Sequence, residues 1–318
     1  MDNLCHSLIG GVLAETGLKR RTALGTATLV IGANFPDIDV VAVPFGAGLT
    51  FRRGWTHGVL ALVVLPFVLA GLMTWWARRR LRAAEAGEGN ARPRELLLLA
   101  FVSILTHPTL DYLNVYGVRW LMPFSSRWFY GDSLFIVDPW LWVVLLAGVV
   151  LARRARSTAT GERIARVALG VATLYMCAMI GMSARTRARV AALLSSTSRG
   201  ASGLMVAPVA VNPFLRDVVY DAGDRYGVGR IQVFTMPRSF SPSRDVLKGR
   251  ADPAVRAALE RVEVRDFLRW ARFPFFEVTR DASGIVVRVA DARYASPGNA
   301  GWASVTVRLP RAIADPQK

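Results

Sequence analysis

The chain has 318 residues, a hydrophobic share of 53%, a mean hydropathy of +0.32 and a formal net charge of +17. It is too apolar for an ordinary soluble protein and long enough for two domains. Its basic residues fall in short clusters without a basic face interleaved with aromatics, which excludes nucleic acid as the expected partner and favours the anionic surface of a lipid bilayer.

In chain order, the opening Met-Asp-Asn-Leu-Cys-His lacks the basic n-region of a signal peptide and reads as mature structure. Leu4 to Leu18 and Thr22 to Phe35 are apolar but short for a span, so they are expected to be re-entrant or tucked within a bundle. Gly58 to Ala77, Leu96 to Tyr116, Leu134 to Ala152 and Ile164 to Met182 each approach the ~20 residues that cross a ~30 Å hydrocarbon layer. Residues 1–182 are therefore read as a polytopic membrane helix bundle. Residues 183–203, rich in Ala, Arg and Ser, are read as a connector. From 204 to 318 the pattern is that of a soluble α+β domain. Its predicted strands are Val218 to Tyr220, Gly229 to Phe234, Phe275 to Thr279, Ile285 to Ala290 and Ala303 to Leu309, and its predicted helix is Pro253 to Ala271. Overall the fold class is mainly α.

Three basic clusters orient the bundle: Lys19 to Arg21, Arg78 to Arg94, and Arg153 to Arg166. Placed on the cytoplasmic side, they send the chain outward after Arg21 and leave the C-terminal domain on the outer, periplasmic side of the inner membrane. Arg52 and Arg53 run against this orientation, since they fall on the outer side. Cys5 and Cys177 lie far apart in apolar segments, show no metal spacing and read as buried free thiols.

Six side chains of metal-ligand type lie in or beside the apolar segments: His6, Asp37, Asp39, His57, His107 and Asp111. They include all three histidines of the chain. An ionisable group at membrane depth costs about 2.5–3.5 kcal/mol, so it is rarely kept without a partner or a function. His107 and Asp111 stand four apart and share one helix face, as two ligands of one ion or as a hydrogen-bonded packing pair. Asp37 and Asp39 follow Pro36 and would repel each other unless a cation neutralises them. Imidazole and carboxylate together suit a divalent metal, with zinc the foremost choice. Six ligands exceed what one catalytic zinc takes from protein, so one or two ions fit.

The ordered series His6, Asn34-Phe35-Pro36-Asp37-Ile38-Asp39, Arg53-Gly54-Trp55-Thr56-His57 and Thr106-His107-Pro108-Thr109-Leu110-Asp111 resembles the YdjM-like, inner-membrane-bound metal-dependent hydrolases. The stretches Asp111 to Gly117, Leu121 to Ser125 and Phe135 to Pro139 are similar to a longer branch of that family. The resemblance covers residues 1–152 well and the C-terminal part loosely. It implies bound metal, hydrolysis and the six residues above as ligands. One departure is Arg52, where members often carry a histidine before the Arg-Gly-aromatic-Thr-His motif.

The expected activity is hydrolysis of a phosphoester or other ester, in a lipid or lipid-linked small-molecule substrate, by a metal-activated water. Asp138, or one of the pair Asp37 and Asp39, would act as the proton-accepting carboxylate, with Asp138 and Asp39 the foremost choices, although Asp138-Pro139 reads equally as a helix start. Arg52, Arg53, Asn114, Tyr116 and Arg127 are the candidate substrate contacts; for the arginines, headgroup contact is the competing reading. Two other classes stay open. One is a non-catalytic, metal-stabilised anchor that presents the C-terminal domain. The other is a metal or proton transporter, against which the nearly apolar Gly58 to Ala77 and Ile164 to Met182 count.

Overall fold

The computed structural model describes residues 1–45, 51–83, 91–195, 202–235, 239–282, 284–299 and 301–310. The chain divides into two units, one of Met1–Met182 with Ala210–Pro213, the other of Ser183–Val209 with Phe214–Lys318.

In the first unit, both short apolar segments become buried helices. Asp2 starts α1 (Asn3–Glu15) by accepting the Cys5 N–H, which satisfies one of the free donors at a helix N-terminus. A 3-10 turn (Leu18–Arg21) leads to α2 (Gly25–Asn34), and a 3-10 segment follows it (Phe35–Phe45). The helices α3 (Val59–Ala83), α4 (Pro93–Tyr112), α5 (Pro139–Arg154) and α6 (Thr158–Ser195) complete the helical order.

Helix α2 lies between α1 and α4 because glycine lets both come close. A Cβ on Gly10 would stand 2.6 Å from the Leu29 carbonyl oxygen, and one on Gly32 would stand 2.0 Å from Ser103 Oγ. Around this contact Cys5, Ile9, Val12, Leu29, Leu99, Leu110, Leu141 and Leu145 form one apolar core. Gly10→Val meets backbone that cannot yield, so it should destabilise this unit by about 3 kcal/mol, the upper end for overpacking. Unfolding of the full chain in mixed micelles measures this, and an unchanged midpoint would contradict it.

The predicted four-span bundle narrows to two candidate spans among the described residues, Val59–Arg79 and Thr158–Ser195. Asp138 caps α5 and Pro139 opens it, so the helix starts later than predicted and has only 16 residues. At 1.5 Å per residue it covers about 24 Å, less than a hydrocarbon layer. Helix α4 has the length to span but carries Arg94, Glu95, His107 and Asp111, the last two buried against α2 and its neighbours. Away from their arginine-bearing ends, the exposed sides of the two candidate spans are apolar, with Val63, Val64, Phe67, Leu72 and Trp75 on α3 and Val167, Val171 and Leu174 on α6. Such continuous apolar surface suits lipid. Cys177 is exposed on α6, a correction to the buried thiol expected there; Cys5 is buried.

In the second unit, β1 (Ser202–Pro208), β2 (Leu215–Asp221), β3 (Arg225–Gln232) and β4 (Arg244–Leu247) form an antiparallel sheet in sequence order. β5 (Pro274–Asp281), β6 (Gly284–Asp291) and β7 (Ser304–Leu309) form a second antiparallel sheet. The predicted helix is two, α7 (Pro253–Leu259) and α8 (Val262–Trp270). Strands β1 and β4 were not foreseen, because Gly203, Pro208 and the short Arg-Asp-Val-Leu run give weak strand patterns. Residues 183–195 of the predicted connector continue α6, and Val190, Leu193 and Leu194 pack on Leu204, Val206, Val218, Tyr220 and Ile231 of the first sheet. Residues 196–201 of that connector lie outside the described residues.

Candidate metal centre

Four segments supply the site. Asp37 lies on the 3-10 segment after α2, His57 in the turn that precedes α3, and His107 and Asp111 in the last turns of α4. One donor atom from each of Asp37, His57, His107 and Asp111 lies within 4.8 Å of all the others. His57, His107 and Asp111 are fully buried, and the Asp37 side chain is 12% exposed. His57 Nε2 stands 3.1 Å from His107 Nε2 and 3.3 Å from Asp111 Oδ2, while His107 Nε2 stands 3.5 Å from Asp111 Oδ2 and 3.6 Å from Asp37 Oδ1. A tetrahedral ion with bonds of about 2.0–2.2 Å sets its ligand atoms about 3.3–3.6 Å apart.

The hydrogen positions required by the surroundings favour a cation at this point. His107 Nδ1 lies 2.7 Å from the Ala33 carbonyl, one of the acceptors left free at the end of α2. A carbonyl only accepts, so Nδ1 carries the proton and Nε2 presents its lone pair. His57 Nδ1 lies 2.9 Å from Thr56 Oγ1 and 3.6 Å from Asp39 Oδ2, and the threonine hydroxyl donates to that carboxylate at 3.4 Å. This places the His57 proton on Nδ1 and frees Nε2 as well. Burial also disfavours the imidazolium and holds the His57 pKa below its ordinary value. Two imidazole lone pairs therefore converge on Asp111 Oδ2, which is buried and has no hydrogen-bond partner among the described residues. The donor set fits a divalent cation.

The other two predicted ligands stand just outside the four. His6 stacks on His107 with ring centroids 3.8 Å apart, and its Nε2 faces Asp111 Oδ1 at 3.4 Å. Asp39 is spent on orientation: its Oδ2 accepts the Arg53 N–H at 2.8 Å and the Thr56 hydroxyl, beside His57 Nδ1. A carboxylate behind a ligating histidine fixes its ring, and losing such a partner costs roughly 10–100-fold in metal affinity. Asp39→Asn should reduce affinity by that factor without changing the number of ions bound, as read by competition with a chelator; an unchanged affinity would remove Asp39 from this role. Thr56, which carries the contact between the two residues, was missed, although its position before His57 was visible.

Asp138 does not supply the expected free base. Its Oδ1 accepts the Trp140 and Leu141 N–H groups, and its Oδ2 accepts the Tyr175 hydroxyl at 3.0 Å. Among the predicted substrate contacts, Arg53 is buried rather than open to a ligand, since a guanidinium out of water must satisfy its donors within the protein. Asn114 is buried too, with its Oδ1 accepting from Arg53 Nη1 and Tyr116 N–H. Tyr116 is half-buried beneath the Arg53 guanidinium. Arg52 is half-buried and its carbonyl accepts from Arg119; Arg127 is exposed, 5.2 Å from the Phe129 ring centre.

The sequence profile described as YdjM inner membrane protein matches residues 1–188 of the chain. The uncharacterized protein YfhP of Bacillus subtilis (strain 168) is 24% identical over 131 residues, 41% of this chain and 36% of that protein. The match thus spans little more than a third of that relative's length. No solved structure matches the chain significantly.

Proposed function

Because this chain belongs to the YdjM inner membrane protein family, with a buried donor cluster that fits a metal ion, we propose that it is a metal-dependent hydrolase of the membrane. The reading rests on one observation: the convergence of two imidazole lone pairs on the hydrogen-bond-free Asp111 Oδ2. Asp37, His57, His107 and Asp111 would hold the ion, with zinc the foremost choice for two nitrogens and two carboxylates. Bound there, a divalent ion supplies Lewis-acid charge that activates water and polarises an ester oxygen.

The protein's own groups do the rest. Ala33, Thr56 and Asp39 keep the two imidazoles turned with Nε2 inward. Asp37, the one donor of the four with exposed surface, marks the side from which water and substrate reach the cluster and is the carboxylate able to take a proton there. The apolar exterior of α3 and α6 and the family together favour a phosphoester or other ester of a lipid or lipid-linked molecule. The proposed topology is multi-pass, with the cluster and the C-terminal unit on the outer side, because the basic groups Lys19 to Arg21 and Arg153 to Arg166 favour the cytoplasmic face. Single cysteines at Ser126 and Ser157, in a chain lacking Cys5 and Cys177, test it. Labelling of position 126 and not 157 from outside is expected, and the reverse pattern overturns the orientation.

Burial of three of the four donors favours a second reading, an ion that only stabilises an anchor for the C-terminal unit. Metal content of the purified full chain, together with turnover of a generic phosphodiester and of phospholipid vesicles, separates the two. Stoichiometric metal with turnover abolished by His57→Ala supports the hydrolase; stoichiometric metal without turnover of any ester supports the anchor.

A further inference from the structure

We infer that Arg53 occupies the place of a second metal ion, so that the centre is mononuclear; this rests on the metal reading above. The two oxygens of Asp111 face different charges. Oδ2 looks into the four-donor cluster, whereas Oδ1 receives Arg53 Nη2 at 3.0 Å and also contacts the Met1 backbone nitrogen. In a two-ion site about 3.5–4 Å across, a bridging carboxylate turns one oxygen to each ion. Here the second direction is filled by a guanidinium, which keeps its charge at any physiological pH.

Two further groups of ligand type, His6 and Asn114, lie on that side. His6 Nε2 faces the same oxygen at 3.4 Å, and Asn114 Oδ1 accepts from Arg53 Nη1 at 3.1 Å. Both ring nitrogens of His6 are buried without a hydrogen-bond partner among the described residues. Asp111 Oδ1 and Asn114 Oδ1 thus meet the guanidinium as oxygen ligands meet a cation, and His6 Nε2 lies beside the same Asp111 oxygen.

The backbone is shaped to hold the arginine there. Arg53 has a left-handed φ of 52°, uncommon outside glycine and asparagine. Its N–H is fixed by Asp39 and its carbonyl by the Arg119 N–H at 2.9 Å. The guanidinium also reaches the Gly117 carbonyl and lies 4.6 Å from the Tyr116 ring centre. The same Asp39 that orients His57 therefore sets the arginine, which ties the ion's ligands and the fixed positive charge into one network.

The test is titration of the metal-free full chain with cobalt(II), counting bound ions and recording their magnetic coupling. Wild type should saturate at one uncoupled ion per chain. Arg53→Met should take two coupled ions, and His6→Ala added to it should return the count to one. Two coupled ions in wild type would overturn the inference while leaving the metal reading intact, as would a folded Arg53→Met chain that still saturates at one. No bound ion in wild type would sink the metal reading and the inference with it. Should Arg53→Met fail to fold, the wild-type count decides alone.

Discussion

Replacing His107 by alanine should strip the ion from the purified chain, with affinity falling by more than the roughly 100-fold that marks the loss of a ligand's supporting partner. His107 holds two positions of the cluster together. Its Nε2 faces His57, Asp37 and Asp111 within 3.1–3.6 Å, and its Nδ1 ties α4 to the end of α2 through the Ala33 carbonyl. His57→Ala should behave alike, because its Nε2 is the other lone pair aimed at Asp111 Oδ2. His6→Ala should reduce affinity less than either, since its Nε2 faces the other oxygen of Asp111. Chelator competition and metal content read all three. A loss in His6→Ala as deep as in His107→Ala would return His6 to the ligand set; unchanged metal content in His107→Ala would end the case for the cluster.

The second large effect lies in the C-terminal unit. Trp270→Ala should destabilise it by about 3–5 kcal/mol, the cost of deleting a large buried aromatic ring. Trp270 is 1% exposed and lies against Tyr294 in parallel stacking at 5.7 Å, against Phe267 edge-on at 5.7 Å, and beneath the Arg293 guanidinium at 4.7 Å. Arg293 keeps its carboxylate partner, Asp291, so the loss is one of packing and cation–π contact rather than of charge pairing. The full chain should show an unfolding transition at lower denaturant with metal content preserved. A variant that unfolds like wild type would mean that this aromatic cluster carries little of the unit's stability.

Much of the site was legible because its chemistry is concentrated in residues that are rare in this chain. Three histidines and a few acids set in apolar sequence stand out whatever the fold, since burying them is costly without a partner. The i, i+4 spacing of His107 and Asp111 also predicts a shared helix face, and the two side chains do meet. What spacing could not give is the role of each oxygen and nitrogen. Asp37 and Asp39 look equivalent in sequence, yet one faces two imidazole Nε2 atoms and the other the far side of one of those rings. Arg53 reads as a loop cation until its burial is seen, because a positive φ and a carboxylate supplied from α4 are both invisible in a linear pattern.

The fold divides along the same line. Apolar length located α3 and α6 as candidate spans, and β-branched runs located five of the seven strands among the described residues. Composition alone thus determined that the chain is a membrane protein followed by an α+β unit, and which residue types would form its site. Only tertiary structure decided that α5 begins at Pro139 and has 16 residues, that the two short apolar segments form buried helices, and that Asp138 is a cap. Hydrophobicity is summed locally along the chain, whereas a carboxylate's task depends on which donors distant segments bring within about 3 Å of each oxygen.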